Sequence, residues 1–297
     1  MEIRQLQSFV AVVEAGSFSI AATLCHITQS AISLHIKALE RELGDTLMIR
    51  TSHTLQLTES GASLYEHAKK ILKEESAARE DISALNGCLT GELRIGVGSF
   101  IEPYIRRTAV IMMKRYPGVR LNVEFSKAKR LNRLLREHKL DLAFTMNDAY
   151  TDEGIETMPC IPFRIYAIMN KNHPLAEKNI ITEDDISQHQ VILPDAGDRV
   201  YATIQNQTGI DISRFKVSAV VNSALAILSV LDDLELITFM PLQYAEGRQD
   251  LVAIPIEHLE RDMMSHAHWM KDVTLKTAAR TFLDIMKNEV ISQIHNS

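Results

Sequence analysis

The sequence has few cysteines and no motif that would pair them. Its 297 residues include three, Cys25, Cys88 and Cys160, which are far apart and belong to no CxxC or Cys/His cluster. Neither a disulfide framework nor a zinc site is therefore predicted, and we expect reduced, partly buried thiols. A redox-sensing cysteine is the alternative, although no resolving partner is evident. We predict no metal site and no bound cofactor.

Long apolar runs are also absent. No segment approaches the roughly 18 uninterrupted apolar residues that cross a bilayer, and the N-terminus MEIRQLQSF has no basic region followed by an apolar stretch. An apolar content of 46% over this length predicts two or more globular domains. We expect a cytoplasmic protein that has no membrane partner.

An excess of positive charge is missing too. The net charge is -6, and residues 1–60 carry only Arg4, Lys37, Arg41 and Arg50 against a larger number of acidic residues. Such a balance argues against a diffusely basic protein that binds nucleic acid through its overall field. Any contact with DNA must therefore be local.

Several catalytic signatures are absent: the sequence contains no GxGxxG, Walker loop, GxSxG or HExxH. The nearest histidine pair, His266 and His268, would alternate along a strand with no acidic partner at ligand spacing. No nucleophile and base, and no pair of carboxylates, can be assembled from the candidate site residues named below. We therefore predict that the protein is not an enzyme and has no catalytic residues.

Helical periodicity dominates the first 44 residues. Apolar residues at i, i+3, i+4 and i+7 over 6–13 predict one helix, which Gly16 ends. A second short helix follows Ser17 as its N-cap, and a third follows Thr28 and stops at Gly44. Three short helices around one small core are the pattern of a helix-turn-helix domain.

The third of these helices exposes short polar side chains at its start. Gln29, Ser30 and Ser33 are of the types that hydrogen-bond base edges and phosphates, and free amides at a helix start favour phosphate. In a helix-turn-helix the second helix of the pair enters the major groove. A solvated helix face in an unrelated bundle is the alternative on this segment alone.

Two features after the helices favour the DNA-binding interpretation. Short extended runs at 46–50 and 54–57 around a polar tip predict a β wing, from which Arg50 and His53 would reach the DNA backbone. Thr58 then caps a helix extending to about residue 86, which would be roughly 40 Å long at 1.5 Å per residue. A partner helix is expected to cover its interrupted apolar stripe.

These residues resemble the LysR-type transcriptional regulators: QLQSFVAVVEAGSFSIAA, TQSAIS, KALERELG and LTESG occur in the family's order and spacing. The resemblance implies that Gln29, Ser30 and Ser33 lie in the major groove, that Arg50 is the wing arginine, and that 59–90 is the dimerising linker helix. It also implies a homodimer or homotetramer on a partly palindromic operator. The predicted DNA-binding residues are Thr28, Gln29, Ser30, Ser33, Leu34, Lys37, Arg50 and His53.

Two positions depart from the family's pattern. Leu34 stands where the family most often has arginine or glutamine, and Met48 stands where it usually has phenylalanine. A leucine cannot hydrogen-bond a base edge as arginine or glutamine can, and it could contact a thymine methyl group instead. The alternative is that Leu34 packs against the first two helices.

From residue 91 the pattern alternates strands and helices, which predicts parallel sheets with covering helices. Expected strands are 93–97, 121–125, 140–146, 164–169, 190–193, 217–221, 236–239 and 264–271. Two such units resemble the periplasmic-binding-protein architecture of the family's effector domains, with subdomain I at about 91–162 plus 265–297 and subdomain II at about 163–264. The expected fold is thus an N-terminal winged helix-turn-helix (all-α with a β wing, 1–58), a linker helix and a C-terminal α/β effector domain (91–297).

Ligands of open parallel sheets bind beyond the carboxyl ends of the strands. We take Ser99 as the start of a helix whose hydroxyl and following amides hold a carboxylate or other anion, with Lys127 nearby. Helix capping is the alternative role of each serine or threonine, and 232–241 lacks the glycines usual in the family. The predicted effector-binding residues are Ser99, Phe100, Ile101, Ser126, Lys127, Thr145, Met146, Asp195, Ala196, Asn222, Thr238 and Phe239.

Together these features predict a sequence-specific DNA-binding transcriptional regulator whose activity a small effector modulates from between two α/β subdomains. The alternative is a small-molecule binding protein that uses its N-terminal helices only for dimerisation. The sequence does not identify the effector, the target genes, or whether the protein activates or represses.

Overall fold

The computed structural model describes residues 1–50, 55–85, 89–98, 100–146, 154–195, 205, 211–259 and 262–291. The chain forms two compact units. One comprises Met1–Leu89 with Asp272–Thr277, and the other comprises Thr90–Lys271 with Ala278–Ser297.

In the part of the first unit that the structure describes, there are four helices and a two-stranded sheet: α1 (Ile3–Ala15), α2 (Phe18–Leu24), α3 (Gln29–Leu43), β1 (Met48–Arg50), β2 (Leu55–Leu57) and α4 (Glu59–Leu85). The helix boundaries follow the capping residues expected from the sequence. Ser17 and Thr28 each accept a backbone amide in the first turn of α2 and α3, while Gly16 and Gly44 end α1 and α3 with positive φ angles of 60° and 70°.

One small core holds these helices together. Phe9, Val12, Ala21, Ile32 and Leu39 are all fully buried. They are at the helical spacings that the sequence shows, so each helix turns one apolar stripe inward and leaves its opposite face exposed. Met48 is also buried in this core, which explains why an apolar residue is retained at this departure from the family's pattern.

The wing joins the start of α4 at an unusually close contact. β1 and β2 pair antiparallel, with Met48 opposite Leu57. Thr58 donates its amide to the Leu47 carbonyl at 3.1 Å and its hydroxyl to the Thr46 carbonyl at 2.7 Å. A Cβ at Gly61 would lie 2.0 Å from the Leu47 carbonyl oxygen, so only glycine fits there.

Two five-stranded sheets form the described part of the second unit. The first sheet contains β3 (Gly91–Val97), β4 (Val119–Phe125), β5 (Leu142–Thr145), β6 (Ile155–Phe163) and β12 (Met263–Met270). The second contains β7 (Ile165–Asn170), β8 (Gln190–Pro194), β9 (Lys216–Val221), β10 (Leu236–Pro241) and β11 (Leu251–Pro255). The first has the order β4-β3-β5-β12-β6 and the second the order β11-β7-β10-β8-β9.

Helices flank these strands: α5 (Glu102–Arg115), α6 (Ala128–Arg136), α7 (Glu183–Gln188), α8 (Ala224–Val230) and α9 (Thr277–Ile285). Met286–Ile291 continues α9 as a π-helix, and short 3₁₀ turns occupy Ile212–Arg214 and Leu242–Tyr244. The Arg94 guanidinium and amide both donate to the buried Asp141 carboxylate, which ties β3 to the loop before β5.

The prediction of parallel sheets holds for only part of each sheet. β3 runs parallel to β4 and β5, and β8 runs parallel to β9 and β10. β12 runs antiparallel to β5 and β6, and β7 runs antiparallel to β10 and β11. Sequence patterning missed β6 and β11 because their half-buried residues give no continuous apolar run. The crossover strands β6 and β12 also extend to residue 163 and from residue 263 respectively, so the first sheet reaches slightly beyond the expected subdomain limits.

No helix among the described residues is both long and apolar enough to cross a membrane. Cys25 and Cys160 are free thiols, and Cys88 lies outside the described residues. Burial raises the pKa of the Cys160 thiol to about 12, which keeps it protonated at neutral pH.

Candidate DNA-reading face and effector cleft

The start of α3 presents a continuous polar surface. Thr28, Gln29 and Ser30 are exposed, and Ser33 is half-buried. The Thr28 hydroxyl accepts the Ala31 amide at 3.2 Å, and it also hydrogen-bonds the Ser30 hydroxyl at 2.9 Å. The Ser19 hydroxyl of α2 donates to the Gln29 side-chain oxygen at 3.0 Å, so the two helices of the motif share one polar face.

Leu34 lies on this face rather than in the core. Its side chain is 67% exposed, whereas Ile32 and Ile36 on the opposite side of α3 are buried. The alternative that Leu34 packs against the first helices is therefore wrong. Lys37, one helical turn further, is also exposed.

His35 of α3 contacts the first helix of the domain. Its ring Nδ1 lies 2.6 Å from the hydroxyl of Ser8, which is itself buried on α1. This contact fixes α3 against α1, so His35 is a packing residue of the domain rather than part of the exposed surface.

The wing residues are described only in part. Arg50 ends β1, where it pairs with Leu55, but its side chain lies outside the described residues, as does the whole of His53. Their predicted contacts with the DNA backbone stay predictions.

A cavity of about 330 Å³ opens within the second unit at the carboxyl ends of strands from both sheets. This is the position that the rule for open α/β sheets predicts for a ligand. Its walls combine apolar and charged side chains. They are Val97, Gly98, Phe100, Glu102, Phe125, Ser126, Lys127, Pro194, Asp195, Val221, Asn222, Ala224, Met240 and Tyr244.

Backbone hydrogen bonds hold the cavity walls in place. The Gly98 amide donates to the Phe144 carbonyl at 2.8 Å, and a Cβ at Gly98 would lie 3.0 Å from that oxygen. The Ser126 amide donates to Val97, and the Asp195 amide donates to Val221. Phe100 has a φ of 70°, which is rare for a bulky residue and marks a strained backbone at the cavity wall.

An ion pair crosses the cavity. The Lys127 ammonium, after β4, lies 2.8 Å from the Asp195 carboxylate, after β8. This pair links the first sheet to the second. Burial, followed by the nearby Glu102 carboxylate, raises the pKa of the Tyr244 hydroxyl on the cavity wall.

Five of the predicted effector-binding residues line this cavity: Phe100, Ser126, Lys127, Asp195 and Asn222. Ser99 and Ala196 lie outside the described residues. The remaining five, Ile101, Thr145, Met146, Thr238 and Phe239, do not line it.

Strand geometry explains most of these corrections. Thr145 is buried and hydrogen-bonds His268 Nε2 at 2.9 Å, so its hydroxyl holds two strands together. Phe239 points to the opposite face of β10, where its ring lies 5.7 Å from that of Phe215. Thr238 is fully buried one pleat below Met240, which does line the cavity. Ile101 is fully buried, and Met146 lies half-buried outside the walls.

The expected helix start at Ser99 was also wrong. α5 begins at Glu102, its N-cap is Ile101, and Pro103 has no amide proton to donate. The Tyr104 and Ile105 amides both donate to the Ile101 carbonyl, at 3.1 and 3.2 Å. The first turn of α5 therefore offers little of the amide cradle that a bound anion would need.

Sequence reasoning missed Val97, Gly98, Glu102, Phe125, Val221, Ala224 and Tyr244 as cavity residues. Glu102 and Phe125 directly flank the positions selected, so a wider window around each strand end would have included them. Tyr244 follows the end of β10 in a 3₁₀ turn, and no pattern in the sequence marks it.

Two family models match consecutive parts of the chain. Residues 3–62 match the bacterial regulatory helix-turn-helix protein of the lysR family, and residues 86–290 match the LysR substrate binding domain. The chain belongs to the LysR family. It is a DNA-binding transcriptional regulator with an effector-binding domain, and this membership favours the regulator over a binding protein that only dimerises through its N-terminal helices.

Individual relatives of this LysR-family chain agree with that assignment. The HTH-type transcriptional regulator BudR of Raoultella terrigena is 27% identical over 235 residues, which cover 77% of this chain and 81% of that protein. Among solved structures, a full-length OxyR variant from Pseudomonas aeruginosa has a TM-score of 0.73 at 20% identity, covering 98% of this chain and 97% of that one. Full-length CbnR complexed with target DNA has a TM-score of 0.61 at 21% identity, with coverages of 96% and 98%. At these identities the two structures establish the fold alone.

Proposed function

We propose that the start of α3 reads the major groove of an operator and that a small effector in the cavity regulates this binding. The observation that carries the proposal is the exposed face of α3, where a 67% exposed leucine stands among Gln29, Ser30 and Ser33. A leucine that is so exposed has no apolar contact in water. In the major groove, a thymine methyl group would provide one.

Positioning on DNA would rest on few charges. Lys37 is the exposed cation of the reading face, and the wing arginine is Arg50. The first amides of a helix have no partner within it, and they attract phosphate through the helix dipole. Because so few cations contribute, affinity should depend on two reading heads that bind together.

Helix α4 is the proposed dimerisation element. Its 27 residues would span about 40 Å at 1.5 Å per residue. Ile82 near its end is 62% exposed, as expected of a stripe that a second copy covers. A homodimer or homotetramer would bind half-sites related by its two-fold symmetry.

We retain the domain limits 1–58, 59–90 and 91–297 as part of this proposal, with the effector bound between subdomains I and II. Effector binding would favour one state of the cleft over another and so change how paired reading heads meet DNA. We further propose that the chain catalyses no reaction and, because its operator is DNA, that it acts in the cytoplasm.

The test replaces Gln29, Ser30 and Ser33 together by alanine in the full-length protein. We expect binding to the DNA upstream of its own gene, measured by fluorescence anisotropy at two salt concentrations, to weaken at least tenfold. Circular dichroism and the unfolding temperature should not change, because none of the three side chains is buried. The matched control replaces Gln188, Ser213 and Ser229, which are the same residue types on the second unit.

Unchanged DNA binding in the α3 triple variant, with its fold intact, would rule out this helix as the reader. An equal loss in the control variant would show that the effect is not specific to α3.

A further inference from the structure

The charges on the cavity wall do not suit an anion. Among the described residues that line it, Lys127 is the sole cation, whereas Glu102 and Asp195 each bring a carboxylate. The balance of formal charge on these walls is negative, which disfavours a carboxylate ligand and favours an ammonium group.

Lys127 is already engaged. Its ammonium lies 2.8 Å from the Asp195 carboxylate, and the two side chains are 64% and 32% exposed. An anion that recruited Lys127 would have to draw it away from Asp195 and leave that carboxylate beside the bound negative charge. A ligand ammonium meets no such conflict, because it takes the place of the lysine.

Glu102 is available to a cationic ligand. Its carboxylate has no ion-pair partner among the described residues. Tyr244 lines the same cavity, and aromatic rings of this type attract ammonium groups through their faces. At the start of α5, the Tyr104 and Ile105 amides donate to the Ile101 carbonyl and Pro103 has no amide proton, so few amides remain for an anion.

Much of the rest of the wall is apolar, although Ser126 and Asn222 add uncharged polar groups. Val97, Phe100, Phe125, Val221 and Met240 supply hydrocarbon and aromatic surface within a volume of about 330 Å³. This volume is at the small end of the range for ligand cavities, which is about 300 to 1,000 Å³. The space therefore fits a compact apolar body that carries one polar head.

We propose that the effector is a small organic amine whose ammonium group replaces that of Lys127 at Asp195, with Glu102 as a second carboxylate and the apolar walls around its body. This inference rests on the proposed function of the cavity as the effector site. Lys127 is then a tethered competitor that occupies the ammonium position when the ligand is absent.

Three probes of similar shape test the charge preference on the full-length protein by isothermal titration calorimetry. They are 2-phenylethylamine as its ammonium salt, the neutral 2-phenylethanol, and the anionic phenylacetate. We expect the dissociation constants to rise in that order, with the amine about 1.4-fold to fivefold tighter than the alcohol, which is the range of a solvent-exposed ion pair.

Lys127→Met should change the affinities for an amine and for an anion in opposite directions. Removing a tethered competitor should tighten 2-phenylethylamine by about 1.4-fold to fivefold, whereas removing an anion-binding lysine would abolish phenylacetate binding. Glu102→Gln should weaken the amine and leave the alcohol unchanged. The matched control is Lys129→Met, which removes an exposed lysine that does not line the cavity and should change none of the three affinities.

The possible outcomes distinguish the amine proposal from the proposed function of the cavity as the effector site. Tightest binding by phenylacetate, lost in Lys127→Met, would overturn the amine but keep the cavity as an anionic effector site. Equal affinity of amine and alcohol would overturn the role of the carboxylates alone. No binding of any probe at millimolar concentration would overturn both the amine and the cavity, while DNA reading by α3 would be decided separately by its own variants.

Discussion

Gly61→Ala should destabilise the DNA-binding unit although alanine normally favours a helix. Gly61 is the third residue of α4, and its missing Cβ leaves room for the Leu47 carbonyl of the wing. A Cβ there would lie 2.0 Å from the carbonyl oxygen and 2.9 Å from the carbonyl carbon. Because the opposing atoms are backbone, no side-chain rotation can relieve the contact, and the wing must move away from the helix.

The size of the effect follows from what that movement breaks. Overpacking costs about 1 to 3 kcal/mol. The Thr58 amide and hydroxyl would also lose their bonds to Leu47 and Thr46, at about 1 kcal/mol each. The gain in helix propensity is about 1 kcal/mol at most. We therefore expect a net loss of about 2 to 4 kcal/mol in the free energy of unfolding of this unit.

Hydrogen–deuterium exchange of the full chain, read by mass spectrometry on peptides from α1 and α3, isolates this unit from the rest. A loss of about 2 kcal/mol accelerates exchange through global opening by roughly thirtyfold. Ser63→Ala is the control, because Ser63 is exposed two residues further along α4 and should change exchange little. Exchange in Gly61→Ala that is no faster than in the parent would refute the steric argument.

Two further predictions concern single side chains. Leu34→Arg should leave the unfolding temperature unchanged because Leu34 is 67% exposed. It should strengthen general DNA affinity and shift base preference at one position of each half-site, measured by binding to single-base operator variants. A lowered unfolding temperature would show that the leucine packs. Burial, followed by the charge of His266, lowers the pKa of His268 from its ordinary 6.5 to about 4. The stability that the neutral His268 ring contributes is therefore complete above pH 6.5 and is lost as the pH falls towards 4. Urea unfolding of His268→Asn followed between about pH 7 and pH 4 should therefore show a shallower fall in stability than the parent, and parallel curves would contradict the assignment.

The helix-turn-helix could be predicted from sequence almost residue by residue. Its caps at Ser17 and Thr28 and its stops at Gly16 and Gly44 depend on local geometry, and its core is set by helical periodicity. Capping and periodicity depend on residues that are close together in the chain, so they can be predicted from the sequence alone. The direction of Leu34 was not predictable because a helix at a domain surface has a borderline position where either burial or exposure is possible.

The cavity was predictable only in its location. Strand ends could be found from the sequence, and the rule for open sheets placed Phe100, Ser126, Lys127, Asp195 and Asn222 correctly at one wall or another. The antiparallel strands β6 and β11, the helix start at Glu102 and the place of Tyr244 in the cavity wall all depend on contacts between distant residues. No periodicity encodes such contacts, so they needed the structure.

The separation of Lys127 and Asp195 in the sequence explains why Lys127 was predicted to bind an anion. Taken with its neighbours alone, Lys127 is a lysine at the end of a strand beside a serine, which is a reasonable anion site. The structure brings Asp195 to it from 68 residues away at 2.8 Å, and this partner reverses the charge that the site prefers.

The weakness of that ion pair suits it to regulation. A solvent-exposed pair contributes only about 0.2 to 1 kcal/mol, whereas a ligand at about 100 times its dissociation constant stabilises the state that binds it by about 2.7 kcal/mol. An amine that displaces Lys127 can therefore outweigh the pair and determine the state of the cleft. A buried pair with several kcal/mol at stake would have held the two sheets in one arrangement whether or not the effector was present.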